Sequence, residues 1–178
     1  MKRMIILALA LCLPLMAKAQ GPVLVTLGGD LATSNLPARG EDDGGLFGFL
    51  DITYANGMGF DANALGAMEQ YELTVPFGPP GQAVDRAMTG PRLADVMAQA
   101  GATGKIAIPI ALDGYRAEIS WEQIERFEPI LATHADQKPL ALGGYGPSVV
   151  IFPKVEDPAL TEELGNLQVW AVAYIGIE

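Results

Sequence analysis

The chain has 178 residues, half of them hydrophobic, a length that suits one domain with room for a core. Its 11 basic residues face 21 acidic ones, a formal net charge of −10 at pH 7. A surface of that sign repels phosphate backbones and anionic headgroups, which argues against nucleic acid as a partner.

Residues 1–19 read as a signal peptide. Lys2 and Arg3 form a basic start, and Met4 to Leu13 is an apolar run shorter than the roughly 20 residues of a membrane span. Ala17-Lys18-Ala19 is a small-x-small cleavage pattern, so the mature domain is expected to cover residues 20–178, in the periplasm or outside the cell. Losing Lys2, Arg3 and Lys18 leaves eight basic residues against 21 acidic ones, a net charge of −13. Cys12 is the sole cysteine, and Leu11 before it does not suit a lipoprotein site. The processed chain would have no thiol and therefore no disulfide, cysteine metal ligand or cysteine nucleophile. No later apolar stretch is long enough for a membrane span.

Pro22 to Leu27 reads as a first strand, and Gly28-Gly29-Asp30 as a turn. Leu31 to Gly45 reads as a surface loop in which Glu41-Asp42-Asp43 is a solvated charge run; the acids do not alternate as a calcium loop requires. Phe47 to Tyr54 is expected to be a strand. Asp61 is placed to cap a short helix over Ala62 to Met68. Tyr71 to Val75 alternates as a strand, which Pro76 to Gly81 should break. Thr89 or Gly90 is expected to cap the best helix, with Pro91 in its first turn. Leu93, Val96, Met97 and Ala100 share its apolar face, and Gly101 ends it. Lys105 to Ala111 is β-like, and Asp113-Gly114 signals a hairpin with Tyr115 to Ile119 returning. Ser120 and Gln123 have the spacing of a capping box. Ile130-Leu131-Ala132 is a short strand, followed by a turn at Asp136-Gln137-Lys138. Ser148 to Phe152 is a buried type of strand. Val155 to Gly165 is an acidic loop or helix, and Leu167 to Ile177 closes the sheet. With no internal repeat and no linker, this mixture predicts a single α+β domain.

Few catalytic schemes survive this inventory. His134 is the only histidine, and beside the Asp136 turn it reads as a solvated loop residue rather than a base. No serine has a nucleophile-elbow context, and a zinc site would need several His or Cys ligands. Gly28-Gly29 and Gly143-Gly144 lack the spacing of a dinucleotide fingerprint.

The series from Thr89 to Pro153 carries a family resemblance. Gly90-Pro91-Arg92-Leu93-Ala94-Asp95-Val96, Asp113-Gly114-Tyr115, Ser120-Trp121-Glu122-Gln123 and Gly146-Pro147 before Ser148-Val149-Val150-Ile151-Phe152-Pro153 follow one another in order. In this series the chain resembles the oxidoreductase molybdopterin-binding domain, the fold of the sulfite oxidases, in its small exported form. The resemblance implies mixed, mostly antiparallel sheets with a few short helices. It also implies a molybdenum held by a cysteine thiolate near the strand that here reads Leu73-Thr74-Val75-Pro76. No cysteine stands there, so no metal is expected, oxygen-atom transfer is disfavoured, and a pterin or molybdopterin-like ligand remains. Relatives carry an Arg-Asp-Lys-type segment where this chain reads Leu142-Gly143-Gly144-Tyr145, which suits an unphosphorylated pterin better.

A pterin presents a flat face to an aromatic ring and a hydrogen-bonding edge to a carboxylate. On the resemblance, the expected contacts are Arg92, Asp113, Tyr115, Trp121, Glu122, Tyr145 and Gly146. Each has a plainer alternative. Asp113 is an ordinary turn residue, Tyr115 and Trp121 pack on the core, Glu122 complements a helix start, Arg92 forms a surface salt bridge, and Tyr145-Gly146 belongs to a tight turn. The expected function is a non-catalytic periplasmic pterin-binding protein that reports its ligand to a membrane signalling protein. The alternatives are a molybdopterin-dependent oxidoreductase subunit with a non-cysteine metal site, and an interaction module with a vestigial pocket.

Overall fold

A computed structural model describes residues 21–79 and 81–178. The expected signal peptide and Cys12 lie outside the described residues. From the N-terminus the elements are β1 (Val23–Gly29), α1 (Gly45–Phe49), β2 (Gly57–Asp61), α2 (Ala62–Gly66), β3 (Tyr71–Phe77) and β4 (Val84–Gly90). Then come α3 (Leu93–Gln99), β5 (Ala107–Ala111), α4 (Trp121–Phe127), β6 (Ile130–Ala132), β7 (His134–Ala135) and β8 (Lys138–Pro139). The chain closes with β9 (Val149–Ile151), α5 (Pro158–Leu167) and β10 (Val172–Ile177). The protein is a single mixed α+β fold. Among the described residues one strand pairing, β1 with β10, is parallel and six are antiparallel.

The first sheet has the order β2-β1-β10-β5. Its middle strands are covered on both faces, so Val25, Thr26 and Leu27 are all buried. That is why β1 reads as a continuous apolar run rather than an alternation. Two expectations are corrected here. Gly28-Gly29 is not a turn but the end of β1, paired with Gly176 and Ile177. A Cβ on Gly28 would lie 2.6 Å from the Tyr174 hydroxyl and 2.9 Å from the Tyr54 ring, so the glycine makes room for those rings. The stretch from Phe47 to Tyr54 is not a strand. It begins in the short helix α1, and only Tyr54 bridges to another segment, at Arg39. Phe47 packs edge-on against Tyr174 at 5.6 Å, and Asp51 takes a left-handed conformation (φ 56°) that no strand accommodates.

The second sheet runs β3-β4-β7-β8. Pro76 does not break β3: it stands opposite Asp85 on an edge strand, where a missing N–H costs no ladder bond. Thr89 and Gly90 do not cap a helix but complete β4. Gly90 passes so close to β6 that a Cβ would meet the Leu131 carbonyl and lie 2.7 Å from Ala132 Cα. The cap position of α3 falls to Arg92, whose side chain makes no capping bond, with Pro91 before it. His134 is a strand residue rather than a loop residue. It is half-buried in β7 opposite Thr89, with Nδ1 2.9 Å from Thr133 Oγ1. The turn after it holds, with Asp136 and Gln137 both at positive φ.

Other local expectations hold as read. Asp61 Oδ1 accepts from Ala64 N at 2.8 Å and caps α2. Leu93, Val96, Met97 and Ala100 are fully buried, and Gly101 follows at φ +66°. Ser120 and Gln123 form the capping box of α4. Gly114 turns the chain at φ +90°, though the returning arm makes only isolated bridges at Arg116 and Ile119. The main core lies between the first sheet, α3, α4 and α5. A second core joins β3 and β4 to the buried pair β6-β9. Among the described residues no helix is long and apolar enough to cross a membrane.

Candidate functional site

One concave feature of the described residues is a pocket of about 270 Å³ between the end of β3, the segment after β9, and α5. Each wall has a local cause. Val75 and Pro76 come from the edge strand β3. Pro153 follows two residues after the end of the buried strand β9, and the chain continues through Lys154 and Val155. Asp157 then starts α5: its Oδ1 accepts from Ala159 N at 2.9 Å, and Pro158 occupies the first turn. That helix brings Thr161, Leu164, Gly165 and Gln168 to the pocket.

The walls are mostly apolar, with Val75, Phe152 and Leu164 buried beneath them. The polar groups are few. Thr161 Oγ1 donates to the Asp157 carbonyl at 2.9 Å, which leaves its oxygen free to accept. The Gln168 amide and the Lys154 ammonium have no side-chain hydrogen bond or ion pair among the described residues. Lys154 is the only charged residue of the lining, so the pocket carries one positive charge in an acidic protein. Such a site can seat a small molecule against apolar surface and read its edge through an amide. It offers no paired acid and base.

None of the residues picked out by the sequence lines this pocket. Arg92 lies 4.3 Å above the Tyr71 ring and 2.7 Å from Glu128 Oε1. Asp113 closes its own turn by accepting from Tyr115 N at 3.0 Å. Tyr115 donates from its hydroxyl to the Asn166 carbonyl at 2.8 Å. Trp121 is half-buried against the main core, and Glu122 is exposed in the first turn of α4. Tyr145 packs edge-on against Phe77 at 4.7 Å and Trp170 at 5.1 Å, and Gly146 precedes a cis proline. No hydrogen bond, ion pair or ring contact joins Arg92, Asp113, Trp121 and Tyr145 to one another. Tyr145 touches Phe77, next to Pro76, and Trp170, two residues beyond Gln168, and Tyr115 bonds to Asn166, next to Gly165, so these two approach the lining through its chain neighbours.

Sequence reasoning missed the pocket residues because they come together from far apart in the chain. Two signals were present: a proline inside an alternating strand marks an edge, and Asp157-Pro158 marks a helix start. Among the described residues no group of three or more His, Cys, Asp and Glu side chains is placed to hold a metal ion. No protein-family model and no curated protein matches this chain.

Proposed function

We propose that this chain is a non-catalytic binding protein for a small pterin, with the ring seated in the pocket between β3, residues 152–155 and α5. The observation that carries the reading is the pocket's position. It opens beside Val75 and Pro76, on the strand where the resemblance to the sulfite oxidase type of domain implies the cofactor's metal-ligating cysteine. On this reading the domain shares that fold.

The chemistry of the lining supports the same ligand class. Val75, Pro76 and Leu164 offer apolar surface to a ring. A lactam edge pairs a ring N–H with a carbonyl, and one primary amide answers both, accepting with its oxygen and donating with its nitrogen. Gln168 supplies that amide. Pockets for drug-sized ligands run about 300–1,000 Å³, so this one suits a bicyclic ring better than an extended nucleotide form of the cofactor. A molybdenum-bearing molybdopterin does not fit. Its metal needs a soft sulfur from the protein, and residues 20–178 contain no cysteine. We therefore derive no redox step. The protein works in the periplasm and reports ligand occupancy to the periplasmic part of a membrane signalling protein.

The test is the small-molecule content of protein purified from the cells that export it. Denaturation should release a fluorescent pterin in near-stoichiometric amount, identified by mass spectrometry, without molybdenum. Stoichiometric molybdenum would end the non-catalytic reading. Absence of any pterin, together with no saturable uptake of an added one, would end the pterin reading.

A further inference from the structure

The loop between β1 and β2 is built as a rigid mount for two apolar side chains that face water. Arg39 fastens it from inside. Its Nη2 donates to the carbonyls of Asp43 and Gly44, and its Nε donates to the Ile52 carbonyl at 3.2 Å. Its backbone exchanges bonds with Tyr54 at 2.8 and 3.1 Å. Asp43 Oδ2 accepts from Gly40 N at 2.8 Å, which closes the turn before α1. Ile52 is buried, and Phe47 lies edge-on against Tyr174 and beneath the Arg39 guanidinium. The loop is thus anchored at both ends and in its middle.

The same helical turn that sends Phe47 inward sends its neighbours out. Phe49 is 83% exposed and Leu46 43% exposed. Single exposed apolar residues are ordinary on a protein surface. A phenylalanine this exposed, on an ordered turn with a leucine one position short of a full turn away, is a preorganised anchor. The loop's own exposed charges have one sign. Glu41, Asp42, Asp43 and Asp51 are all exposed, and the one cation of the loop, Arg39, is spent on backbone carbonyls.

We propose that this loop is a docking knob for another protein, one that offers an apolar pocket for Phe49 inside a rim of Lys and Arg. The acidic residues of the loop select the occupant. They repel anionic lipid and nucleic acid, and they disfavour a second copy of this chain meeting the first through the same face. The inference stands apart from the pterin reading, since it uses neither the pocket nor its ligand.

The experiment places a photoreactive benzoylphenylalanine at position 49 of the full chain in the cells that make it. After irradiation the cross-linked peptide is sequenced. A synthetic copy of that peptide is then titrated against wild type, Phe49→Ser, and the double variant Glu41→Gln with Asp42→Asn. The expected adduct is one protein, joined through a peptide in which Lys or Arg flanks apolar residues. Phe49→Ser should weaken binding more than about tenfold, as loss of a central anchor does. The double amide variant should weaken it severalfold and flatten its dependence on salt. Both variants should melt as wild type does, because the altered side chains are exposed. An adduct with lipid, with another copy of this chain, or with nothing would overturn the proposal. So would a peptide whose binding survives Phe49→Ser.

Discussion

Replacing Gly165 with alanine should make this protein more stable. The glycine lies inside α5, three residues before the cap residue Gln168, and its φ is not in the left-handed region. A Cβ built there meets nothing within 4 Å, because the position is exposed at the edge of the pocket. The substitution therefore adds no clash and removes the conformational freedom that glycine gives the unfolded chain. Glycine in a helix interior costs about 0.5–1 kcal/mol relative to alanine. A position near the helix end should return the lower part of that range. For a domain of this length each kcal/mol moves the midpoint by about 2–4 °C, so the expected gain is about 1–3 °C. Gly165→Leu extends the same logic, since leucine is nearly as good a helix former and the position has room for it. Thermal unfolding followed by circular dichroism reads both. A lower midpoint for Gly165→Ala would mean that the wall of the pocket is already packed at this position, and the reasoning would fail.

Gly90→Ala tests the crossing of β4 and β6. The new methyl has backbone rather than a flexible side chain against it, so stability should fall by about 1–3 kcal/mol or more, measured by urea unfolding. Burial, with a smaller effect from Tyr54, pushes the Tyr174 phenol up to about 12 from an ordinary 10.0. The folded state then resists ionisation that the unfolded state undergoes. The stabilisation is complete below pH 10, is lost as the pH rises toward about 12, and should be missing from the alkaline limb of Tyr174→Phe. Equal alkaline limbs for the two proteins would refute this. Trp121→Ala should cost about 2–3 kcal/mol of stability through lost packing on the main core, yet leave pterin affinity unchanged. Asp113→Asn and Glu122→Gln should change neither, and a tenfold loss of affinity in either would return the site to that hairpin.

Local grammar was the legible part of this fold. The capping box of Ser120 and Gln123, the cap at Asp61 and the buried stripe of Leu93, Val96, Met97 and Ala100 depend on residues within a turn or two of each other. The α+β class followed from the same short elements. What escaped depended on distant partners. β4 reads Val-Asp-Arg-Ala-Met-Thr-Gly, which has no clean alternation, and it is a strand because β3 and β7 flank it. Gly28 resembles a turn until Tyr54 and Tyr174 are seen lying over it. Phe47 resembles a strand residue until its ring is seen against Tyr174.

The pocket escaped for the same reason as β4. Pro76, Pro153 and Gln168 are each punctuation in their own segment, and only the packing of α5 beside β3 makes them one wall. Several of the residues that stand out in sequence have structural partners. Arg92 is held by Tyr71 and Glu128, Tyr145 by Phe77 and Trp170, and Asp113 by its own turn.

The most direct test of the account is a calorimetric titration of wild type, Gly165→Leu and Gln168→Leu with tetrahydropterin under anaerobic conditions. The account predicts saturable one-to-one binding to wild type. It predicts weaker binding to Gly165→Leu, which adds a side chain to the pocket's lining. Gln168→Leu should bind about tenfold more weakly, the scale of a lost edge hydrogen bond. Wild type that takes up no heat from the pterin, or Gly165→Leu that binds it as tightly as wild type, would contradict the account.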